Sequence, residues 1–134
     1  MKYLDSNIFI IPVLYAGKKA EKAKNILKEM VTGSHQYATS SLTLDEVVWI
    51  IMKEKDRKTA IEIGRDILEL PNLKILNVSG EDLLMALDLM NKYEHIKPRD
   101  AIHISVSVNS GIFTIVSDDE DFNDIDEIDK EGLA

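Results

Sequence analysis

Lys97-Pro98-Arg99-Asp100-Ala101-Ile102-His103 is the stretch on which the reading of this chain turns. Proline fixes its own φ near the helical value and lacks an amide hydrogen that a first helical turn leaves unused, so Pro98 marks a helix start. The apolar residues behind it, Ala101, Ile102, Ile104, Val106 and Val108, send that helix into a core. Asp100 then falls in the first turn of a largely buried helix, and a carboxylate there needs a partner. One answer is the helix's own positive end. The other is a cation shared with further acids.

Outward from this helix, short apolar runs alternate with segments of helical periodicity. Lys2 to Leu4 reads as a strand ending at Asp5, and Ser6-Asn7 suits the cap of a helix from Ile8 to about Tyr15, interrupted or bent at Pro12. Ala20, Ala23, Leu27 and Met30 recur at helical spacing up to Gly33, and Gln36 to Thr39 is a second strand. Thr43 opens a helix through Leu44, Val47, Val48, Trp49, Ile50, Ile51 and Met52. It is apolar nearly all round, so it is expected to bury more than one face, at the centre of the domain or in a dimer interface. After the charged turn Lys53 to Arg57, residues 58–69 are helical again. Leu73 to Val78 is a strand, Ser79 with Asp82 three residues on caps a helix to about Tyr93, and Ile112 to Val116 is the fourth strand. A fifth falls around Ile125–Ile128. Strands alternating with helices predict one α/β domain over residues 1–134 with a parallel sheet of four or five short strands. Ligands of such sheets bind outside the carboxyl ends of the strands.

Composition narrows the function. There are no cysteines, which excludes disulfides, thiolate metal sites and a cysteine nucleophile. No apolar run approaches the roughly 20 residues that cross a bilayer. Asp5 stands where a signal peptide needs its apolar segment, so a cytoplasmic protein without a membrane anchor is expected. The net charge of −8 lies wholly between Asp118 and Ala134, with nine acids against one lysine, while acids and bases in residues 1–117 number fifteen each. That is not the basic footprint of a protein gripping nucleic acid by phosphate neutralisation alone, so phosphate chemistry here needs divalent cations. The segment from about 123 to 134 reads as an acidic, solubilising tail.

Four carboxylate positions stand out: Asp5 after the first strand, Asp118, Asp119 and Asp121 after the fourth, and Glu46 and Asp100 in the first turns of two apolar helices. Each has a structural explanation when taken singly. Thr43-Leu44-Asp45-Glu46 has the form of a capping box, Asp100 suits a helix N-terminus, and Asp118 and Asp119 suit the cap of a last turn. Together they read differently, because strand C-termini and helix N-termini share one edge of a doubly wound sheet. Carboxylates crowded into one cleft repel each other unless they take up protons or hard cations. Oxygen-only ligation suits Mg²⁺ or Mn²⁺.

With Asp5-Ser6-Asn7, Glu46, Pro98-Arg99-Asp100-Ala101 and Ser117-Asp118-Asp119-Glu120-Asp121-Phe122 in this order, the chain resembles the PIN domain. More narrowly it resembles the VapC-type ribonucleases of prokaryotic toxin–antitoxin pairs. The resemblance covers essentially the whole chain and implies a three-layer α/β/α fold. It also implies a Mg²⁺- or Mn²⁺-dependent endoribonuclease with Asp5, Glu46, Asp100 and Asp119 as its acidic residues and Asp121 as a fifth. On that reading Asp5, Asp100 and Asp119 bind the principal ion, and Glu46 and Asp121 hold a second ion or orient the attacking water. Ser6 and Ser117 fall near the metal or the carboxylates, and Arg99 is a candidate phosphate contact. The family forms homodimers and is neutralised by a small antitoxin whose tail fills the acidic cleft. Residues 8–15 and 44–52 are the candidates for those contacts. The acidic stretch after Phe122, without a clear last strand, departs from the pattern.

Other readings compete. A haloacid-dehalogenase-type phosphohydrolase would use Asp5 as a covalent nucleophile but needs an Asp where Asn7 stands. A PIN-like RNA- or protein-binding module without catalysis would share the fold. His103 lies one turn after Asp100 and can face the cleft, though a histidine on an apolar helix is ordinarily packed or hydrogen-bonded. His35 and His95 lie in loops, the series from Lys18 to Lys28 is a solvated helix face, and Trp49 belongs to the core or a dimer interface.

Overall fold

In the computed structural model, which describes residues 1–134, Pro98 does open a helix. The chain builds one five-stranded sheet from β1 (Lys2–Leu4), β2 (Tyr37–Ser40), β3 (Leu73–Leu76), β4 (Thr114–Val116) and β5 (Asp129–Glu131), in the order β3-β2-β1-β4-β5. Every pairing is parallel, and parallel neighbours need long crossovers. Helices α1 (Asn7–Leu14) and α2 (Lys18–Thr32) join β1 to β2. Helices α3 (Ser41–Glu54) and α4 (Arg57–Glu69) join β2 to β3, and α5 (Gly80–Lys92) and α6 (Pro98–Asn109) join β3 to β4.

Side chains alternate across each strand, and this sorts them into two cores. Tyr3, Ala38 and Ile115 pack with Ala86 and Leu89 of α5 and Ala101 and Ile104 of α6. Leu4, Tyr37 and Val116 pack on the other face with Ile8, Ala23, Val47, Ile51 and Ile67 of α1 to α4. The result is the expected three-layer α/β/α sandwich. From β1 the chain steps outward to β2 and β3, then returns to lay β4 on the other side of β1. That reversal opens a crevice outside the carboxyl ends of β1 and β4, where ligands of such sheets bind. Asp5 and Ser117 are the first residues beyond those two strands, and the Asp5 amide donates to Val116 O at 3.0 Å.

Several local expectations need correction. The fifth strand lies at Asp129–Glu131, directly after the stretch where the apolar residues placed it. Ile125 and Ile128 are core anchors that precede it, with 4% and 8% exposure. The strand itself is a charged edge, a common protection against edge-to-edge association. The acidic segment is accordingly not a loose tail. Lys2 pairs with Glu131 at 2.9 Å, Lys92 with Glu127 at 3.2 Å, and Lys22 donates to Gly132 O at 3.0 Å.

Helix α1 runs through Pro12 without interruption. A proline removes only one hydrogen bond from so short a helix. Neither Ser6 nor Asn7 caps it, since both turn to Asp5. Helix α3 begins directly after β2, at Ser41, so Glu46 sits in its second turn and no Thr43–Glu46 capping box forms. Thr43 instead accepts from the Thr39 hydroxyl at 2.7 Å. Only one face of α3 is deeply buried, through Thr43, Val47 and Ile51. Trp49 is 51% exposed, which removes it from the core. The capping box foreseen for α5 is present: Ser79 Oγ accepts from the Asp82 amide, and the Asp82 carboxylate accepts from the Ser79 amide at 2.8 Å.

Candidate active site

Asp5 is held from four directions. Its Oδ1 accepts from the Ser6 amide at 2.7 Å and the Ser6 hydroxyl at 3.4 Å. Its Oδ2 accepts from the Ser117 hydroxyl at 2.6 Å and the Asn7 side-chain amide at 3.3 Å. Ser117 Oγ in turn accepts from the Asn7 side chain at 3.1 Å and the Asp119 amide at 3.0 Å. One hydroxyl thereby ties the end of β1 to the turn after β4. Donors aimed at a carboxylate fix its orientation.

Asp100 stands at the third position of α6, immediately before the buried run that begins at Ala101. Asp119 caps the short 3-10 helix Glu120–Phe122, its Oδ1 accepting from the Asp121 amide at 2.9 Å. Carboxylate oxygens of Asp100, Asp119 and Asp121 lie within 4.8 Å of one another, and no lysine or arginine forms an ion pair with any of the three. Burial, followed by the charges of Asp119, Asp5 and Asp121, pushes the Asp100 carboxyl up to about 7, against an opposing pull from His103. Such a group gains a proton or a cation at neutral pH.

Glu46 reaches the same edge from α3, where its Oε1 accepts from His103 Nε2. The same nitrogen is 3.4 Å from Asp5 Oδ1. His103 is fully buried, and its Nδ1 meets the Tyr3 hydroxyl at 2.6 Å. Tyr3 also donates to Ser40 Oγ at 2.7 Å. Burial alone would lower the imidazole's pKa, but the Tyr3 oxygen, the Glu46 hydrogen bond and the Asp5 charge outweigh it and hold the ring well above its ordinary range.

The five acids singled out from the sequence therefore meet at one edge. The cleft above them measures about 570 Å³ and is walled by Glu46, Lys97, Pro98, Arg99, Asp100 and Asp119, with no apolar side chain except the proline. Asp118 turns away to pair with Lys19 at 3.0 Å. His35 is a surface partner of Glu29, and His95 meets the Asp121 carbonyl at 3.1 Å. Of the lysine series, Lys19, Lys22 and Lys24 make surface contacts to Asp118, Gly132 and Glu21. Two participants carried no clear sequence signal. Lys97 lines the cleft as the residue before Pro98. Tyr3 looks like any inward strand residue, and only its alternation with Leu4 marks the face it takes.

The all-oxygen trio of Asp100, Asp119 and Asp121 fits a hard divalent cation. Asp5 and Glu46 differ, because a protein donor already stands between them. The sequence profile of the PIN domain matches residues 2–128. The ribonuclease VapC13 of Mycobacterium tuberculosis and a VapC ribonuclease of Mycobacterium bovis are each 26% identical over 123 residues, covering 92% of this chain and 93% of theirs. Among solved structures, VapBC2 of Rickettsia felis bound to a promoter DNA fragment superposes with a TM-score of 0.75 at 21% identity, covering 98% of each chain. VapC20 of Mycobacterium tuberculosis, a toxin that cleaves the sarcin–ricin loop, gives 0.73 at 16% identity over 91% of this chain and 92% of its own.

Proposed function

The chain belongs to the PIN domain family, and from that premise we propose that it is a divalent-metal-dependent endoribonuclease, the toxin of a toxin–antitoxin pair. The observation that carries the reading is the convergence of Asp100, Asp119 and Asp121 with no protein cation among them, on a cleft lined by polar side chains. Asp100, Asp119 and Asp121, with Asp5 beside them, would hold Mg²⁺ or Mn²⁺. When bound, such an ion offsets phosphate charge and lowers the pKa of a coordinated water.

The chain's own residues supply the rest. Asp5, fixed by four donors, presents an oriented carboxylate. Glu46 accepts the proton of the attacking water or orients that water. Lys97 and Arg99 stand on the cleft wall where they can meet backbone phosphates of the RNA. Ser6 and Ser117 direct their hydroxyls to Asp5 and serve the carboxylate rather than the substrate. A net charge of −8 makes RNA binding depend on cations beyond those two side chains.

The curated relatives are VapC ribonucleases, and several structural neighbours are VapBC complexes or toxin–antitoxin complexes. We therefore assign the chain a cognate antitoxin, a homodimeric assembly and a cytoplasmic location, with α1 and α3 as the contact helices. No helix is long and apolar enough to cross a membrane.

The test is cleavage of a mixed structured RNA by the purified protein with Mg²⁺, with Mn²⁺ and with EDTA, beside Asp100→Asn. Cleavage should require the metal and fall by at least about 100-fold in the variant, as for the loss of a group acting on the transition state. Cleavage that survives chelation or the substitution would overturn the reading.

A further inference from the structure

The five carboxylates divide into two groups that are served differently. Asp100, Asp119 and Asp121 have no positive group among them. Asp5 and Glu46 also bring carboxylate oxygens within 4.8 Å of each other, but the third member of their group is His103. His103 Nε2 lies between the two carboxylates, hydrogen-bonded to Glu46 Oε1 and with its nitrogen 3.4 Å from Asp5 Oδ1. A cation bridging Asp5 and Glu46 would have to take that place.

The ring is not free to leave. His103 has no exposed surface, Tyr3 stands edge-on to it with ring centroids 5.6 Å apart, and the Tyr3 hydroxyl holds Nδ1 at 2.6 Å. Tyr3 is itself anchored on Ser40 at the end of β2. A chain of contacts thus runs from β2 through β1 and α6 to a carboxylate on α3. Were Nε2 an unprotonated metal ligand instead, its lone pair would face two carboxylate oxygens with nothing between them, and burial makes such an unpaired contact costly.

We propose that the Tyr3–His103 pair takes the place of a second metal ion. It holds Glu46 in position and closes the Asp5–Glu46 side of the cleft to cations, so that the site takes one divalent ion, at Asp100, Asp119 and Asp121 with Asp5 at its edge. Glu46 then keeps its Oε2 for a water molecule and acts through orientation, with Tyr3 and His103 as positioning residues. This inference rests on the metal-nuclease reading above.

The experiment is Mn²⁺ binding to the full chain, followed by calorimetry and electron paramagnetic resonance. The wild type should bind one Mn²⁺ per chain and give the spectrum of an isolated ion, without nitrogen hyperfine coupling. Two ions with a spin-coupled spectrum, or coupling to an imidazole nitrogen, would overturn the inference while leaving the metal reading intact. No binding at all would overturn the metal reading, and this inference with it. His103→Ala should admit a second, weaker ion between Asp5 and Glu46. Should that variant not fold, Tyr3→Phe serves: the ring stays but loses its anchor. Its cleavage of the same RNA mixture at saturating Mn²⁺ should slow about tenfold, with Mn²⁺ affinity changed less than about twofold. An unchanged rate, or a rate lost together with the affinity, would refute the positioning role.

Discussion

Helix α3 borders two depressions of similar size and opposite chemistry. Glu46 on one side meets a cleft of about 570 Å³ whose walls are acids, Lys97, Arg99 and Pro98. Leu44, Val48, Trp49 and Met52 on the other meet Ala60 and Ile61 of α4 across an open, mostly apolar groove of about 490 Å³. The cleft is held together by hydrogen bonds that converge on Asp5 and Glu46, with Ser117, Asn7 and His103 each fixed by a further residue. No comparable network holds the groove. A surface meant for chemistry has to be rigid and specific in charge, whereas a surface meant for a partner needs only accessible apolar area. The two sides of α3 should therefore respond oppositely to substitution.

The sharpest contrast lies at Asp119. Asp119→Asn keeps an oxygen to accept from the Asp121 amide, so the short 3-10 turn survives, but it removes one charge from the trio. Cleavage should fall by at least about 100-fold, as for other losses of oriented charge at a reacting centre. Stability of the metal-free protein should rise, because a like-charge contact disappears. A gain of roughly 1 kcal/mol would raise the melting temperature by about 3 °C in a chain of this size. A variant that loses both activity and stability would show that the cluster is structural. The groove has no site at which activity and stability should part in this way.

Asp100 extends the contrast to pH. Its carboxyl titrates near 7 in the fold, against 3.8 ordinarily, because of burial and then the charges of Asp119, Asp5 and Asp121. A carboxyl whose folded pKa is raised prefers its proton in the folded state. Its contribution to stability is therefore fully present below about pH 4 and is lost as pH rises towards 7. Without metal, stability should fall between pH 5 and pH 7.5 by on the order of 2 kcal/mol after allowance for solvent screening in an open cleft, and the melting temperature should fall with it. Saturating Mg²⁺ should cancel that fall, since the ion replaces the proton, and Asp100→Asn should abolish it. The same linkage makes Mg²⁺ affinity rise with pH up to about 7. A pH-independent melting temperature in the metal-free wild type would contradict the assignment.

The contrast also explains what could be read in advance. Pro98 announced α6, Ser79 with Asp82 announced α5, and Asp5, Asp100, Asp119 and Asp121 were legible because each follows a strand or opens a helix that local pattern defines. What failed was set by tertiary contact. The Thr43–Glu46 capping box was misplaced because β2 runs straight into α3, which moves the helix start to Ser41. The bond between His103 and Glu46 joins residues 57 positions apart, and no local spacing encodes it. All three residues of strand β5 are charged and it is held by backbone pairing with β4, so hydrophobic alternation cannot find it. The outer side of α3 was read as buried because a helical wheel identifies an apolar face without saying what covers it.

That outer side is where the smallest effect on the isolated protein is expected. Trp49 is about half exposed, so Trp49→Asp removes little buried area and should change stability by no more than about 0.5 kcal/mol. Metal-dependent cleavage should be unchanged, because the cleft is built from the opposite side of α3. Association should not be unchanged. If α3 is a contact helix, an aspartate in the middle of its apolar groove leaves a charge to be desolvated against a partner, which typically weakens binding by 2 kcal/mol or more at a central aromatic position. Sedimentation of the protein alone, and then with the proposed antitoxin, would read this directly. A variant that assembles as the wild type does would move the docking surface away from α3 and leave the groove without a role. One that stops cleaving would show that the two sides of α3 are coupled, and the separation of chemistry from docking would fail.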